Sequence, residues 1–481
     1  MKNKKIAIIG FGKEGKDAHK YLIALGCKNI TICDQNKSLK GVKGAKLQLG
    51  KDYLDEIGSF DIIFRSPGVP FLHVQKLVHN YVQKSGGKIP LITSVTKYFF
   101  QHCKAKIIGV TGTKGKGTTS ALVHNMLKTC GKLSYLAGNI GTPPLSLLNK
   151  LKKTDYVVLE LSSFQLQDLT QSPNIAVVLM ITKDHLDVHK SVNEYHDAKK
   201  NIVKHQKSDD LAVINNMFKA NQVFLKLGKG KKIIVNTLEK ANGISSKANN
   251  TCSVKDGSFV LNIDGKEQKL CSVDEAKLLG KHNWQNICAA AAAVSTICPI
   301  KAIVKVIKTF KGLPHRLQIV HKSDGVTYIN DTFSTTPETT IAAINAVKKP
   351  TILILGGSKK GSNYNDLAKE IIKARHITKV IFLGNEAAIE IKTAIEKANK
   401  QATENIKQLD SAGDKKTKIY RDILLKMSQA KNMQEAILSA KIDTKQDSIV
   451  LLSPAAASFD LFKNYKERGK CFTEAVKKLT K

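Results

Sequence analysis

The stretch Val110-Thr111-Gly112-Thr113-Lys114-Gly115-Lys116-Gly117-Thr118-Thr119 constrains this chain more than any other. It follows the apolar run Ile107 to Val110 and precedes a helical pattern with Leu122, Val123, Met126 and Leu127 on one face. It therefore reads as strand, glycine-rich loop and helix N-terminus. That order builds a phosphate site. Glycines let backbone N–H groups close around phosphate oxygens, the helix start favours negative charge, and Lys116 supplies a cation for the outer phosphates. The position after that lysine normally carries Ser or Thr, whose hydroxyl binds Mg²⁺. Here it is Gly117.

A chain of 481 residues exceeds one ordinary core and predicts about three domains. The 77 Lys+Arg against 40 Asp+Glu give a formal net charge of +37, a balance that suits anionic partners of any kind. The lysines are spread along the whole chain and aromatic residues make up only 6%. This favours a general lysine bias that helps anionic substrates over a nucleic-acid groove, so no nucleic-acid partner is expected. The nine cysteines include no C-x-x-C pair and no zinc spacing, and are expected to be reduced thiols in a cytoplasmic protein. No apolar run reaches the roughly 18 residues of a membrane span.

Ile6 to Ile9, then Gly10-Phe11-Gly12-Lys13-Glu14-Gly15, a helix through Leu22, and a second strand ending at Asp34 form a Rossmann-type nucleotide fingerprint. That pattern allows NAD, FAD or another nucleotide. A further strand, Asp61 to Phe64, runs into Arg65-Ser66-Pro67-Gly68-Val69, at a strand end where open α/β sheets bind ligands. Beyond the phosphate loop, Gly138-Asn139-Ile140-Gly141 is a second glycine-rich loop, and a strand from Tyr156 delivers Glu160. A carboxylate there can reach nucleotide-bound Mg²⁺. The apolar run Ile175 to Ile181 leads to Asp184-His185-Leu186-Asp187, whose hard oxygens and imidazole suit Mg²⁺ or Mn²⁺ better than zinc. Tyr195 and Lys199 are four apart and share a helix face.

Phe259 to Lys269 reads as a hairpin turning at Asp264-Gly265, and Gly280 to Asn286 opens an alanine-rich helix whose polar start can contact a base or ribose. Strands at Val326 to Ile329, Thr351 to Leu355, Val380 to Leu383 and Ile449 to Leu452 each end in a polar loop. Residues 394 to 418 are lysine-rich, and predict a helix end followed by a mobile insertion. The expected architecture is α/β, with strand-end loops aimed at a shared cleft.

With these loops together the chain resembles the Mur ligases of peptidoglycan synthesis, most closely the branch that adds D-glutamate. The likeness rests on Thr111-Gly112-Thr113-Lys114-Gly115-Lys116, Gly138-Asn139-Ile140-Gly141, Glu160-Leu161-Ser162-Ser163-Phe164-Gln165-Leu166, Asp184-His185-Leu186-Asp187, Gly280-Lys281-His282-Asn283 with Asn286, Gly312-Leu313-Pro314-His315-Arg316 and Leu452-Ser453-Pro454-Ala455-Ala456-Ala457-Ser458, in the family's order. The resemblance implies three domains: a Rossmann-like UDP-binding domain (1–101), a central P-loop ATPase domain with a parallel sheet (102–313) and a C-terminal Rossmann-like domain for the incoming amino acid (314–481). It implies a cytoplasmic monomer that uses ATP and two Mg²⁺ ions to join D-glutamate to UDP-N-acetylmuramoyl-L-alanine. Another Mur-type or folylpolyglutamate-synthase-like amide ligase, or a basic nucleic-acid-binding ATPase, are the competing readings.

Carried over by position, Lys116, Glu160, His185 and Lys199 are the implied catalytic group, with Glu160, Thr118, His185 and a carbamylated Lys199 at the metals. Gly112, Thr113, Lys114, Gly115, Lys116, Gly117, Thr118, Asn286, Arg316 and Asp331 would hold ATP. Gly12, Asp34, Gln35, Ser66 and Gly68 would surround the UDP, with Asn139, Ser162 and Gln165 nearer the reacting end. Thr335, Lys360, Ser458 and Tyr465 would recognise D-glutamate. Besides Gly117, the chain departs from the family pattern with Lys114 for Asn, Met180 for Asn, Phe333 for a common lysine, and Tyr465 for Phe.

Overall fold

Buried β-branched runs build three sheets, and helices cover them. In a computed structural model, residues 1–182, 191–237, 249–359, 361–411 and 425–479 are described. The first sheet comprises β1 (Ile6–Ile9), β2 (Ile30–Asp34), β3 (Lys46–Leu49), β4 (Ile62–Arg65) and β5 (Leu91–Ser94). All pairs are parallel and the order is β3-β2-β1-β4-β5. Ile6 to Ile9 are fully buried because helices cover both faces of the central strand. This is the doubly wound order, in which ligands meet the carboxyl ends of the strands where the winding reverses.

The second sheet holds β6 (Lys106–Thr111), β7 (Ser134–Gly138), β8 (Tyr156–Glu160), β9 (Ile175–Val178), β10 (Leu211–Asn215), β11 (Lys231–Asn236), β12 (Thr251–Lys255), β13 (Ser258–Ile263) and β14 (Lys266–Ser272). Their order is β14-β13-β12-β11-β10-β9-β6-β8-β7. Strands β6 to β12 are parallel, and β12 to β14 form an antiparallel meander. The β13–β14 hairpin turns at Asp264 (φ 51°) and Gly265 (φ 80°), the left-handed pair that a two-residue turn requires and that the Asp-Gly dipeptide predicts.

The third sheet contains β15 (Gln318–Ser323), β16 (Val326–Asn330), β17 (Thr351–Leu355), β18 (Ile377–Leu383), β19 (Lys426–Ala430) and β20 (Ile449–Leu452), in the order β15-β16-β20-β17-β18-β19. It is parallel apart from the β15–β16 hairpin. The chain condenses into two units. One is Met1–Ala276 with Asn283–Thr309, holding the first two sheets, and the other is Lys277–His282 with Phe310–Lys481.

Two expectations are corrected. The strand expected over Ile175 to Ile181 ends at Val178, because Leu179 and Met180 turn to meet the phosphate loop. Cys130 and Cys298, expected as thiols, form a disulfide with Cα atoms 5.7 Å apart; the described free cysteines number seven. A separation of 168 residues gave no local signal of that pairing. The helix Glu386–Ser411 covers the first part of the lysine-rich stretch, and the expected insertion lies outside the described residues.

Candidate active site

The phosphate loop is held by its neighbours before any ligand arrives. Gly115 caps the helix Lys116–Thr129 with φ 85°, a left-handed conformation that favours glycine. A Cβ there would lie 2.4 Å from Asn286 Oδ1, so even alanine would collide with the polar helix start. Asn286 accepts from Thr119 Oγ1 at 3.2 Å and donates to Asn283 Oδ1 at 2.8 Å. The predicted ATP contact Asn286 is thus placed beside the loop. Thr113 donates its N–H to Met180 O at 2.6 Å, and its hydroxyl lies 2.9 Å from Tyr195 OH.

Lys116 curls back, donating to Gly112 O at 2.9 Å and Thr113 O at 3.0 Å, so its ammonium sits over the loop. Lys114 is exposed, and Gly117 is buried in the helix's first turn beside the buried Thr118. Thr118 is therefore the nearest hydroxyl in sequence to the place that Ser or Thr normally fills. Lys199, on the helix Val192–Lys204, is 1% exposed. It donates to Thr111 Oγ1 at 3.2 Å and Gly112 O at 3.3 Å, and its nitrogen lies 4.7 Å from the centre of the Tyr195 ring. The i,i+4 face seen in the sequence thus delivers both side chains to one loop.

Glu160 ends β8 and pairs in register with Val110, the residue before Thr111. Its side chain is buried. On its other flank Gly138 has φ 96°, and a Cβ there would stand 2.4 Å from Glu160 O. Asn139 N donates to that same carbonyl at 3.3 Å. Ser162 then caps the short helix Ser163–Leu166 with a reciprocal pair: Gln165 N donates to Ser162 Oγ at 3.3 Å, and Ser162 N donates to Gln165 Oε1 at 2.9 Å. Lys116, Lys199, Thr118, Asn286, Glu160, Ser162 and Gln165 all fall within the first unit. His185 and Lys360 lie outside the described residues.

In the nucleotide fingerprint, a Cβ on Gly15 would stand 2.0 Å from Gly10 O, whereas Gly12 and Gly68 face nothing within 4 Å. The first fixes helix against strand, and the other two leave room for a ligand's approach. Ser66 Oγ donates to Gly10 O at 2.8 Å. Asp34 accepts Phe11 N at 2.6 Å and Asn36 N at 2.8 Å, so it braces the loop, while Gln35 beside it is exposed.

The second unit gathers its own polar centre. Asp331 is buried and accepts from Ser334 Oγ at 2.5 Å, Ser453 Oγ at 2.8 Å and Leu317 N at 3.0 Å. Burial pushes its carboxyl up to about 6 against the pull of these donors and of Arg316. Arg316 lies over the Phe333 ring at 3.9 Å, and Phe333 meets Tyr465 edge-on at 5.0 Å. The two departures Phe333 and Tyr465 are therefore one stack, with Phe333 supporting a guanidinium by cation–π attraction. Thr335 is half-buried and Ser458 buried in the same unit.

Composition and motif gave no signal for the partners of Arg468, of the Arg65–Asp168 pair or of the half-buried Glu14. Arg468 is 1% exposed and donates to Thr332 Oγ1 at 2.8 Å, Thr332 O at 3.1 Å, Ala456 O at 3.0 Å and Ala457 O at 3.1 Å, tying two strand-end loops together. Burial lowers it to about 10. Asp168 pairs with Arg65 at 3.4 Å, both side chains fully buried, and Arg65 also donates to Val69 O at 2.7 Å. Glu14 accepts from Gln165 Nε2 at 2.5 Å. Each is an ordinary charged residue in sequence, and only the tertiary fold assigns its partner.

A phosphate loop in a largely parallel sheet, a strand-end carboxylate paired beside it and two further α/β sheets define a nucleotide-binding α/β scaffold. Family comparison agrees: residues 110–294 match the Mur ligase middle domain, and 315–456 match the Mur ligase glutamate ligase domain. The chain belongs to the Mur ligase family, whose members are ATP-dependent amide ligases of peptidoglycan synthesis. It is 37% identical over 486 residues to the UDP-N-acetylmuramoylalanine–D-glutamate ligase of Clostridium tetani, covering 99% of this chain and 97% of that one. Identity is also 37%, with 99% and 97% covered, to the enzyme of the same name from Acetivibrio thermocellus. Two solved structures share the fold: a UDP-N-acetylmuramate-alanine ligase from Thermotoga maritima (TM-score 0.56, 17% identity, 99% and 100% covered) and a pseudomurein peptide ligase type C from Methanothermus fervidus (0.54, 19%, 99% and 100%).

Proposed function

We propose that this chain joins D-glutamate to UDP-N-acetylmuramoyl-L-alanine. The observation that carries the reading is the full-length 37% identity to ligases of that name. A carboxylate has a poor leaving group, so ATP first transfers its γ-phosphoryl group to the L-alanyl carboxylate, forming an acyl phosphate and ADP. The amine of D-glutamate adds to the acyl carbon. The tetrahedral adduct loses inorganic phosphate and a proton, leaving the amide. Lys116 and the loop N–H groups offset the charge that three anions bring together.

The donor set near the loop fits Mg²⁺ in part. Glu160 is a buried hard-oxygen ligand at a strand end, and Thr118 offers a hydroxyl. Lys199 as an ammonium donates only; it becomes an oxygen ligand when the ammonium loses a proton, the neutral amine adds CO₂ and a second proton leaves, giving the carbamate. Bound Mg²⁺ would neutralise phosphate charge. His185 is the proposed fourth member. We assign Arg316 and Asp331 to the ATP ribose and adenine region, and Thr335, Lys360, Ser458 and Tyr465 to D-glutamate. The proposed domain limits are 1–101, 102–313 and 314–481. Among the described residues no helix is long and apolar enough to cross a membrane. A cytoplasmic monomer is proposed. Incubation with ATP, Mg²⁺ and both substrates is expected to yield the D-glutamyl product by mass spectrometry, and its absence would refute the reading.

A further inference from the structure

The residue pattern around Glu14 is unlike an ordinary phosphate-facing turn. Glu14 stands in the first turn of the helix Lys13–Ala24, two residues after Gly12 of the fingerprint. A helix start at such a loop suits a phosphate group, and an ionised carboxylate would repel it. Glu14 Oε1 accepts from Gln165 Nε2 at 2.5 Å, while Glu14 Oε2 is buried and has no hydrogen-bond partner among the described residues. Gln165 in turn accepts from Ser162 N at 2.9 Å and Ser162 Oγ at 3.2 Å, two residues past Glu160. A single side chain therefore joins the nucleotide loop to the loop that follows the strand-end carboxylate.

Burial disfavours the charge of Glu14, against the pull of the Gln165 amide and the Arg65 guanidinium and with the smaller push of Asp17 and Asp168. Arg65, the nearby cation at the end of β4, is already matched to Asp168 at 3.4 Å. Asp168 faces Glu14 from beyond the helix Ser163–Leu166, and Asp17 faces it from its own helix. Lys13, the neighbouring cation, reaches away to Gly138 O at 3.2 Å and Gly141 O at 3.4 Å. Burial, the largest influence, raises the Glu14 carboxyl to about 7. A protonated Oε2 is an O–H donor that lacks an acceptor among the described residues, at the first turn of a helix whose start suits an anion.

We propose that Glu14 binds the nucleotide-sugar substrate in its protonated form, donating from Oε2 to a substrate oxygen while Oε1 holds Gln165 in register with the catalytic loop. This rests on the function proposed above, and assigns Glu14 two tasks, one in affinity and one in positioning. Substrate binding then takes up a proton at neutral pH, and affinity falls as pH rises through about 7.

The test is calorimetric binding of UDP-N-acetylmuramoyl-L-alanine to the full-length protein, in two buffers of different ionisation heat. The wild-type protein is expected to take up a fraction of a proton at pH 7.5 and to weaken roughly tenfold or more between pH 6.5 and 8.5. Glu14→Gln keeps a donor and an acceptor but cannot titrate, so it is expected to take up none and to show a flat profile. Glu14→Ala, checked for folding by its melting transition, is expected to lower kcat as well as raise KM, with Glu14→Gln restoring most of kcat. If Glu14→Gln keeps the wild-type proton uptake and pH slope, or if Glu14→Ala leaves kcat and KM alone, the inference is overturned while the reaction stands. Failure of the wild-type protein to bind the nucleotide sugar would overturn both.

Discussion

Glu14 also makes a prediction about stability that needs no substrate. Its carboxyl is raised from 4.5 to about 7 by burial, so the folded protein holds a proton that the unfolded chain releases. Its contribution is fully present below about 4.5 and is lost as pH rises through about 7. Glu14→Gln should therefore melt higher than the wild-type protein at pH 8, by roughly 1–3 kcal/mol at most, and no higher at pH 4. A variant less stable at both values would contradict the burial argument. At Lys199, the carbamate assignment predicts that Lys199→Ala loses most activity, that bicarbonate fails to restore it and that a short-chain carboxylic acid partly does. Wild-type rates in that variant would exclude the role.

Among elements, the join between β4 and the segment after β8 depends on a buried ion pair. Arg65 and Asp168 have no exposed side-chain surface, and Arg65 also caps the carbonyls of Val69 and Phe164. Removing one partner strands the other, so Arg65→Met alone should cost about 3–5 kcal/mol in urea unfolding. Adding Asp168→Leu should recover much of that loss, because the uncompensated charge goes with it. A single variant within 1 kcal/mol of wild type would show that water already reaches the pair. The phosphate loop supplies a second test at this scale: Gly115→Ala meets both the left-handed φ and Asn286, and should weaken ATP binding by roughly tenfold or more in calorimetry. An unchanged affinity would mean that Asn286 moves freely.

Across the molecule, what was legible in the sequence was whatever local pattern dictates. Ile6–Ile9 and Tyr156–Glu160 read as strands because runs buried on both faces need continuous apolar side chains, and Gly115-Lys116 marked a helix start because few other turns use that chemistry. The Tyr195–Lys199 spacing put both residues on one helix face, and the structure shows that this face meets the loop. The hidden part was tertiary pairing. Glu14, Asp168 and Arg468 carry no signature, since their burial arises from segments distant in the chain, and the same holds for Cys130 with Cys298. Phe333 read as a lost cation until the stack with Arg316 and Tyr465 gave it a use.

ATP-driven ligation specific for D-glutamate can be read as phosphate release from the purified protein. ATP, Mg²⁺ and UDP-N-acetylmuramoyl-L-alanine would be held constant while a panel of amino acids is varied. Release is expected to depend on the nucleotide sugar and to be strongest with D-glutamate. No release above background with D-glutamate, or stronger release with another amino acid, would contradict the proposed ligation.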